Sequence, residues 1–241
     1  MSTAALVIIG NEILSAKVVD ENGPWLLREL RGLGVEVRRI ETVPDEVPLI
    51  IDALKRALQS ARWVFTSGGI GPTHDDVTIA AIAEAFGRPV VADARILGLL
   101  TARYGDRLNQ ARRRLAEVPE GARVEWHEES LFPVISLEQV AILPGVPSLF
   151  REGFTAIRDR YKAEPIFSSA LYFKLGEGAL AEHLDAAVAA FPGVGIGSYP
   201  RFDDADYQVK ITFDGRQEAE VREAARFLRA RLPAAAIVRE E

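Results

Sequence analysis

Cysteine is absent from all 241 residues, which removes disulfides, thiolate nucleophiles and cysteine-ligated zinc together. Histidine is nearly as scarce, at three residues. No apolar run is long enough to cross a bilayer. The N-terminus enters an apolar strand pattern with neither a basic leader nor a small-residue cleavage site, so a cytoplasmic protein with no membrane partner is expected. Basic residues are not in excess: 29 Lys and Arg stand against 35 Asp and Glu, a formal net charge of −6. Such a field repels nucleic acid. The one tight basic run, Arg112, Arg113 and Arg114 with Arg103 and Arg107 nearby, lacks interleaved aromatics for base stacking and reads as a solvated helix face.

What is present is a regular alternation of apolar patterns. Ala4 to Ile9 form a continuous apolar run ending at Gly10, as expected of a parallel strand buried on both faces. A helix follows from about Asn22, its expected cap, with Pro24 in the first turn, Leu26, Leu27 and Leu30 as a stripe, and Gly32 and Gly34 at its end. Val35 to Ile40 read as the next strand, and a helix capped by Asp45 runs to about Ser60. The unit then repeats as a strand from Arg62 to Thr66, a glycine loop and a helix from Val77 to Phe86. Two helical stretches, about Asp93–Tyr104 and Asp106–Glu117, precede strands at Val134–Leu137 and Val140–Leu143 and a helix from Ser148 to Tyr161. Over residues 1–164 this order argues for a three-layer α/β domain with a mostly parallel sheet and right-handed crossovers. After Glu164-Pro165 the rhythm changes to βαββα across residues 165–241, a small α+β domain without a catalytic constellation.

The most informative stretch is Thr66-Ser67-Gly68-Gly69-Ile70-Gly71-Pro72-Thr73-His74-Asp75-Asp76-Val77-Thr78. Gly68, Gly69 and Gly71 let the backbone turn and approach a ligand closely, and the following helix offers unpaired N–H groups and a positive dipole end, the makings of an anion site. Asp75 and Asp76 complicate that reading. One carboxylate about 4 Å from a phosphate charge costs roughly 4 kcal/mol at an effective dielectric of 20, whereas a helix terminus returns only about 0.3–1 kcal/mol. Either a cation bridges aspartates and phosphate, or the aspartates grip donors on the ligand. Asp76 also reads as a plain helix cap, with Asp75 improving the dipole.

In parallel sheets the ligand lies beyond the carboxyl ends of the strands. Gly10-Asn11-Glu12-Ile13-Leu14, Ser67–Asp76 and Pro144-Gly145-Val146-Pro147 all fall at that edge, as does Asp45, so three or four segments are expected to converge there. Asn11 and Glu12 read equally as a solvated turn, and Asp20 and Asn22 as helix caps. His74 is the histidine nearest the edge, whereas His127 sits in an acidic loop and His183 on an alanine-rich helix. Glu177, Asp185 and the Asp203–Asp206 cluster read as solvated turns.

Together, Gly10–Leu14, Val19-Asp20 with Asn22, Val43-Pro44-Asp45-Glu46, Ser67–Thr78 and Leu143–Pro147 resemble the MoaB/Mog molybdopterin-binding family, and within it the N-terminal domain of the competence/damage-inducible CinA proteins. Ile196–Pro200 and Tyr207–Ile211 resemble the small domain that follows it in CinA and in the N-terminal region of eukaryotic FAD synthases. The match leaves out the nicotinamide-nucleotide amidase domain of longer CinA proteins, so that activity is not implied. The resemblance implies a pocket for molybdopterin or for a nucleotide diphosphate such as ADP-ribose or FAD, and, in CinA-like members, pyrophosphate hydrolysis assisted by a divalent cation (magnesium, cobalt or nickel) and potassium. On this reading Asp75, Asp76, Asp45 and Glu12 are catalytic, with Asp75 and Asp76 also holding the metal. Asn11, Ser67, Gly68, Gly69, Gly71, Pro72, Thr73, His74, Pro144, Gly145, Val146 and Pro147 bind the ligand. The expected partners are a small-molecule nucleotide or pterin diphosphate and further copies of the chain. One stretch departs from the family: where CinA proteins carry Gly-Thr-Ala-Pro-Gly, this chain reads Ser130-Leu131-Phe132-Pro133-Val134-Ile135-Ser136-Leu137, replacing a flexible anion-contacting turn with bulky apolar groups.

Overall fold

The computed structural model describes residues 2–126, 132–201 and 206–241. His127, Ser130, Leu131, Asp203 and Asp204, all considered above, lie outside the described residues. The chain divides into two compact units, one ending at Ala163 and the other covering Glu164–Glu241.

In the first unit the strands are β1 (Thr3–Ile9), β2 (Glu36–Val43), β3 (Trp63–Ser67), β4 (Val90–Ala92), β5 (Glu117–Pro119), β6 (Arg123–Glu125), β7 (Val134–Leu137) and β8 (Val140–Leu143). Its helices are α1 (Asn11–Leu14), α2 (Asn22–Gly32), α3 (Val47–Ser60), α4 (Thr78–Ala85), α5 (Ala94–Tyr104), α6 (Gln110–Arg113) and α7 (Pro147–Ile157). Six strands form one sheet in the order β2-β1-β3-β8-β7-β6, parallel from β2 to β8, with β7 antiparallel to both β8 and β6. β4 and β5 pair separately.

The apolar run of β1 serves two cores because successive side chains in a strand point to opposite faces. Ala5, Val7 and Ile9 pack with Ile50, Leu54 and Ile82 on one side of the sheet. Ala4, Leu6 and Ile8 pack on the other with Leu26, Leu30, Phe150 and Phe154. Helices cover both faces, which is the three-layer arrangement the alternation implies.

The expected helix from Asp106 to Glu117 is broken into short turns around the four residues of α6 and ends in β5. Asn109 supplies a mid-segment cap, its side chain accepting from Arg112 N at 2.9 Å, so local capping outcompetes a continuous helix. Asn22 does not cap α2: Asp20 Oδ1 accepts from the N–H groups of Asn22 and Gly23 at 3.0 Å each. Asp45 does not cap α3 and Asp76 does not cap α4, since neither helix has a side-chain cap.

The second unit contains β9 (Phe167–Phe173), α8 (Glu177–Ala190), β10 (Gly195–Pro200), β11 (Val209–Gly215), α9 (Glu218–Arg229) and β12 (Ile237–Glu240). They form an antiparallel sheet in the order β10-β11-β9-β12. Leu171, Phe173, Ile211 and Phe213 pack against Leu180, Val221 and Leu228 of the helices. β12 adds a strand to the expected βαββα order.

Candidate functional site

The order of the parallel strands reverses beside β1, because β2 lies on one side of it and β3 on the other. Ligand crevices in open α/β sheets form at such switch points. Here the ends of β1, β3 and β8 are drawn together by backbone contacts that require glycine. Gly68 has φ +105°, donates its N–H to Leu143 O at 3.2 Å, and leaves no room for a Cβ, which would fall 2.2 Å from Ile9 O. A Cβ on Gly145 would come 3.3 Å from Gly68 Cα. The approach is therefore backbone on backbone.

Buried polar groups lock the same junction. Asn22, only 4% exposed, reaches from the start of α2 and donates from Nδ2 to Ser67 Oγ at 2.9 Å and to Gly145 O at 2.8 Å. The Thr78 hydroxyl donates to Gly68 O at 2.9 Å, and Thr78 N to Gly69 O at 3.0 Å. Stranding one such buried partner costs about 1–3 kcal/mol, so the junction is held more firmly than a surface loop. Among the described residues, the amides of Gly69, Ile70 and Gly71 have no protein acceptor. They are the loop's available anion donors.

Above this junction lies a cavity of about 520 Å³. Its polar lining comprises Gly68 to Pro72, Asp76, Glu12, Arg114, Glu117 and the Pro144–Val146 turn. Its apolar wall is Ile79, Ile96, Leu115, Phe132, Pro133, Ile135 and Leu149. A second, smaller cavity of about 210 Å³ is lined by Asp20, Asn22, Ser67, Pro147 and neighbours, and shares Glu12 and Gly145 with the first. Phe132, Pro133 and, from β7, Ile135 thus face the larger cavity.

The loop carboxylates part company. Asp76 Oδ2 accepts from Thr73 N at 2.7 Å and from the Thr73 hydroxyl, closing a tight turn and leaving Oδ1 without a protein partner among the described residues. Gly71 makes room for it, since a Cβ there would lie 2.6 Å from Asp76 Oδ2. Asp75 is exposed, stands 3.8 Å from His74 Nδ1 and does not line the cavity; nor do Thr73 and His74. Its carboxyl is held below the usual aspartate range by the nearby Thr73 hydroxyl, whose proton it shares with Asp76, then by its own N–H and the nearby His74. Asp45 lies off the cavity as well: its Oδ2 accepts Asn11 N at 2.8 Å, tying the start of α1 to the segment after β2. That bond positions the Glu12 turn. Among the described residues no group of three or more His, Asp or Glu side chains is close enough to hold a metal by itself.

Arg114 and Glu117 join the site without a local motif in the sequence. Arg114 Nη1 donates to Thr73 O at 2.9 Å, across 41 residues of sequence, and lines the cavity. Only its direct junction with Leu115-Ala116, where the basic run turns apolar, hinted that it leaves the solvated face.

Comparison with known proteins fits this geometry. Residues 5–162 match the model of the probable molybdopterin-binding domain, and residues 165–241 that of the FAD synthase middle domain. A CinA-like protein of Gemmatimonas aurantiaca is 35% identical over 85% of this chain and 52% of its own length. A probable FAD synthase of Caenorhabditis elegans is 31% identical over 92% of this chain and 48% of its own. The chain therefore spans about half the length of these two relatives. The crystal structure of CinA from Thermoplasma acidophilum, a protein described as of unknown function, superposes with a TM-score of 0.61 at 30% identity, covering 66% of this chain and 98% of that one.

Proposed function

The chain belongs to the probable molybdopterin-binding (MoaB/Mog) family, in its CinA-like form, and on that premise we propose that it is a metal-dependent hydrolase that splits the diphosphate of a dinucleotide-like substrate such as ADP-ribose or FAD, releasing AMP. The observation that carries this reading is the pairing, in one cavity, of unpaired loop amides with the Asp76 and Glu12 carboxylates beside an apolar wall. The amides of Gly69, Ile70 and Gly71 hold phosphate oxygens, with the N-terminal end of α4 adding a favourable dipole. The apolar wall takes a flat heterocycle.

The donor set also fits the cation the family implies. Magnesium-type ions take one or two protein carboxylates and complete their shell with substrate phosphates and water, so Asp76 Oδ1 and Glu12 suffice as protein ligands once a diphosphate is bound. A divalent cation held there would neutralise the carboxylate–phosphate repulsion and supply Lewis-acid polarisation of a phosphoryl oxygen. Asp76, whose Oδ2 accepts from Thr73, has Oδ1 left for the cation or for the attacking water. Water adds to one phosphorus, the bridging P–O bond breaks, and the products are AMP and the second monophosphate. Asp75 adds negative field from outside the cavity, and Asp45 steadies Glu12 through Asn11. A homo-oligomer in the cytoplasm is the setting consistent with this reading.

Incubating the protein with ADP-ribose, FAD and NAD, with magnesium, cobalt or nickel and with potassium, and following AMP by chromatography, tests the proposal. AMP release supports it. Absence of release under every condition overturns it; tight molybdopterin binding in its place then favours a role in molybdenum cofactor synthesis, a reading supported by the family description itself.

A further inference from the structure

Among the described residues the larger cavity is lined by one cationic side chain, Arg114, and three carboxylates, Asp76, Glu12 and Glu117. Among the described residues no carboxylate forms an ion pair with Arg114; its one hydrogen bond is from Nη1 to the Thr73 carbonyl. A guanidinium carries five N–H donors in a planar fork suited to phosphate. Most of that fork is therefore unspent, at the rim of a cavity whose floor already offers unpaired amides. The bond it does make is not incidental. Thr73 O also accepts from Asp76 N at 3.3 Å, and Thr73 returns its N–H to Asp76 Oδ2 at 2.7 Å, so Arg114 braces the turn that holds Asp76.

The surrounding segment points the same way. Residues 94–114 contain Arg95, Arg103, Arg107, Arg112, Arg113 and Arg114 against Asp106 as the only acid, in a chain of formal charge −6. Two of these are engaged elsewhere: Arg112 bonds to Arg107 O and lies over the Tyr104 ring, and Arg95 pairs with Asp93. Arg114 alone of them lines the cavity.

The geometry points to Arg114 as the residue that selects the anionic part of the ligand, gripping one phosphate of a diphosphate while fixing the Thr73–Asp76 turn. Glu117 opposes it, limiting the cavity's affinity for an unaccompanied anion. This inference deepens the proposed function and rests on its phosphate-bearing ligand. It does not need hydrolysis.

The test uses inorganic pyrophosphate without divalent cations, with calorimetric titration of the whole chain and its Arg114→Gln, Arg114→Lys and Glu117→Gln variants. Hydrogen bonds to charged groups contribute about 1.5–3 kcal/mol, so Arg114→Gln should weaken binding by about 10- to 150-fold and Arg114→Lys by less. Glu117→Gln should tighten it. A purely structural role would not give changes of opposite sign. The inference is overturned if the wild type binds no pyrophosphate, if Arg114→Gln binds as the wild type does, or if Arg114→Gln and Glu117→Gln weaken binding alike. AMP release by the wild type is measured beside it: absent release with Arg114-dependent pyrophosphate binding sinks the hydrolase and leaves Arg114's assignment standing.

Discussion

Gly68 and Gly71 lie three residues apart in one loop, yet a methyl group at each would fail for a different reason. At Gly68 it would meet a backbone atom, Ile9 O, at 2.2 Å, in a conformation with φ +105°. Nothing there can move cheaply. Gly68→Ala should therefore lose more than about 2 kcal/mol of stability in urea denaturation, from backbone strain and clash. At Gly71 the obstacle is the end of a side chain, Asp76 Oδ2, at 2.6 Å, so Gly71→Ala should keep a near-wild-type denaturation midpoint and lose turnover because Asp76 is pushed aside. Equal loss of stability in both variants would contradict this division. The glycines and Asp76 were legible in sequence because a glycine cluster followed by carboxylates is a local pattern. Asn22, Asp45 and Arg114 were not: their partners lie 45, 34 and 41 residues away, and local capping preference assigned the first two to the wrong bonds.

Among the elements, β1, β2, β3, β7, β8 and the main helices of the first unit follow the apolar periodicity, since a continuous run such as Ala4–Ile9 has few ways to be buried other than between two helical layers, whereas the three-residue strands β4, β5 and β6 carry too short a pattern to be read. The segment from Asp106 to Glu117 did not follow it. Its helical composition yields to Asn109 capping and to the pairing of β5 with β4. The turn after α7 illustrates an element held by rings. Tyr161 stacks on Phe154 and meets Phe65 and Trp63 edge-on, and burial pushes its phenol up to about 12. Because the folded state keeps this proton longer than the unfolded chain, the stability it brings is complete below pH 10 and is lost as pH rises from about 10 towards 12. Tyr161→Phe should accordingly show a shallower loss of stability than wild type across that window, by roughly 2–3 kcal/mol at its upper end. Parallel curves for the two proteins in alkaline denaturation would refute the burial argument.

At the scale of the whole molecule, the change of rhythm at Glu164-Pro165 coincides with the division into units at Ala163 and Glu164, and each unit has its own apolar core. Every described residue lining the larger cavity belongs to the first unit. A chain ending at Ala163 should therefore retain pyrophosphate binding within a few-fold of the full chain; complete loss in a folded fragment would contradict this. The family signature was readable because three separated motifs fall at one sheet edge, whereas the cavity's apolar wall, drawn from α4, α5 and the Phe132–Ile135 stretch, is a property of the folded chain only. The central claim, that Asp76 serves diphosphate hydrolysis in that cavity, is tested most directly by the turnover of Asp76→Asn beside wild type with ADP-ribose and magnesium. The account predicts a roughly 10²- to 10³-fold fall in turnover with an unchanged melting midpoint; equal turnover in the folded variant would contradict it.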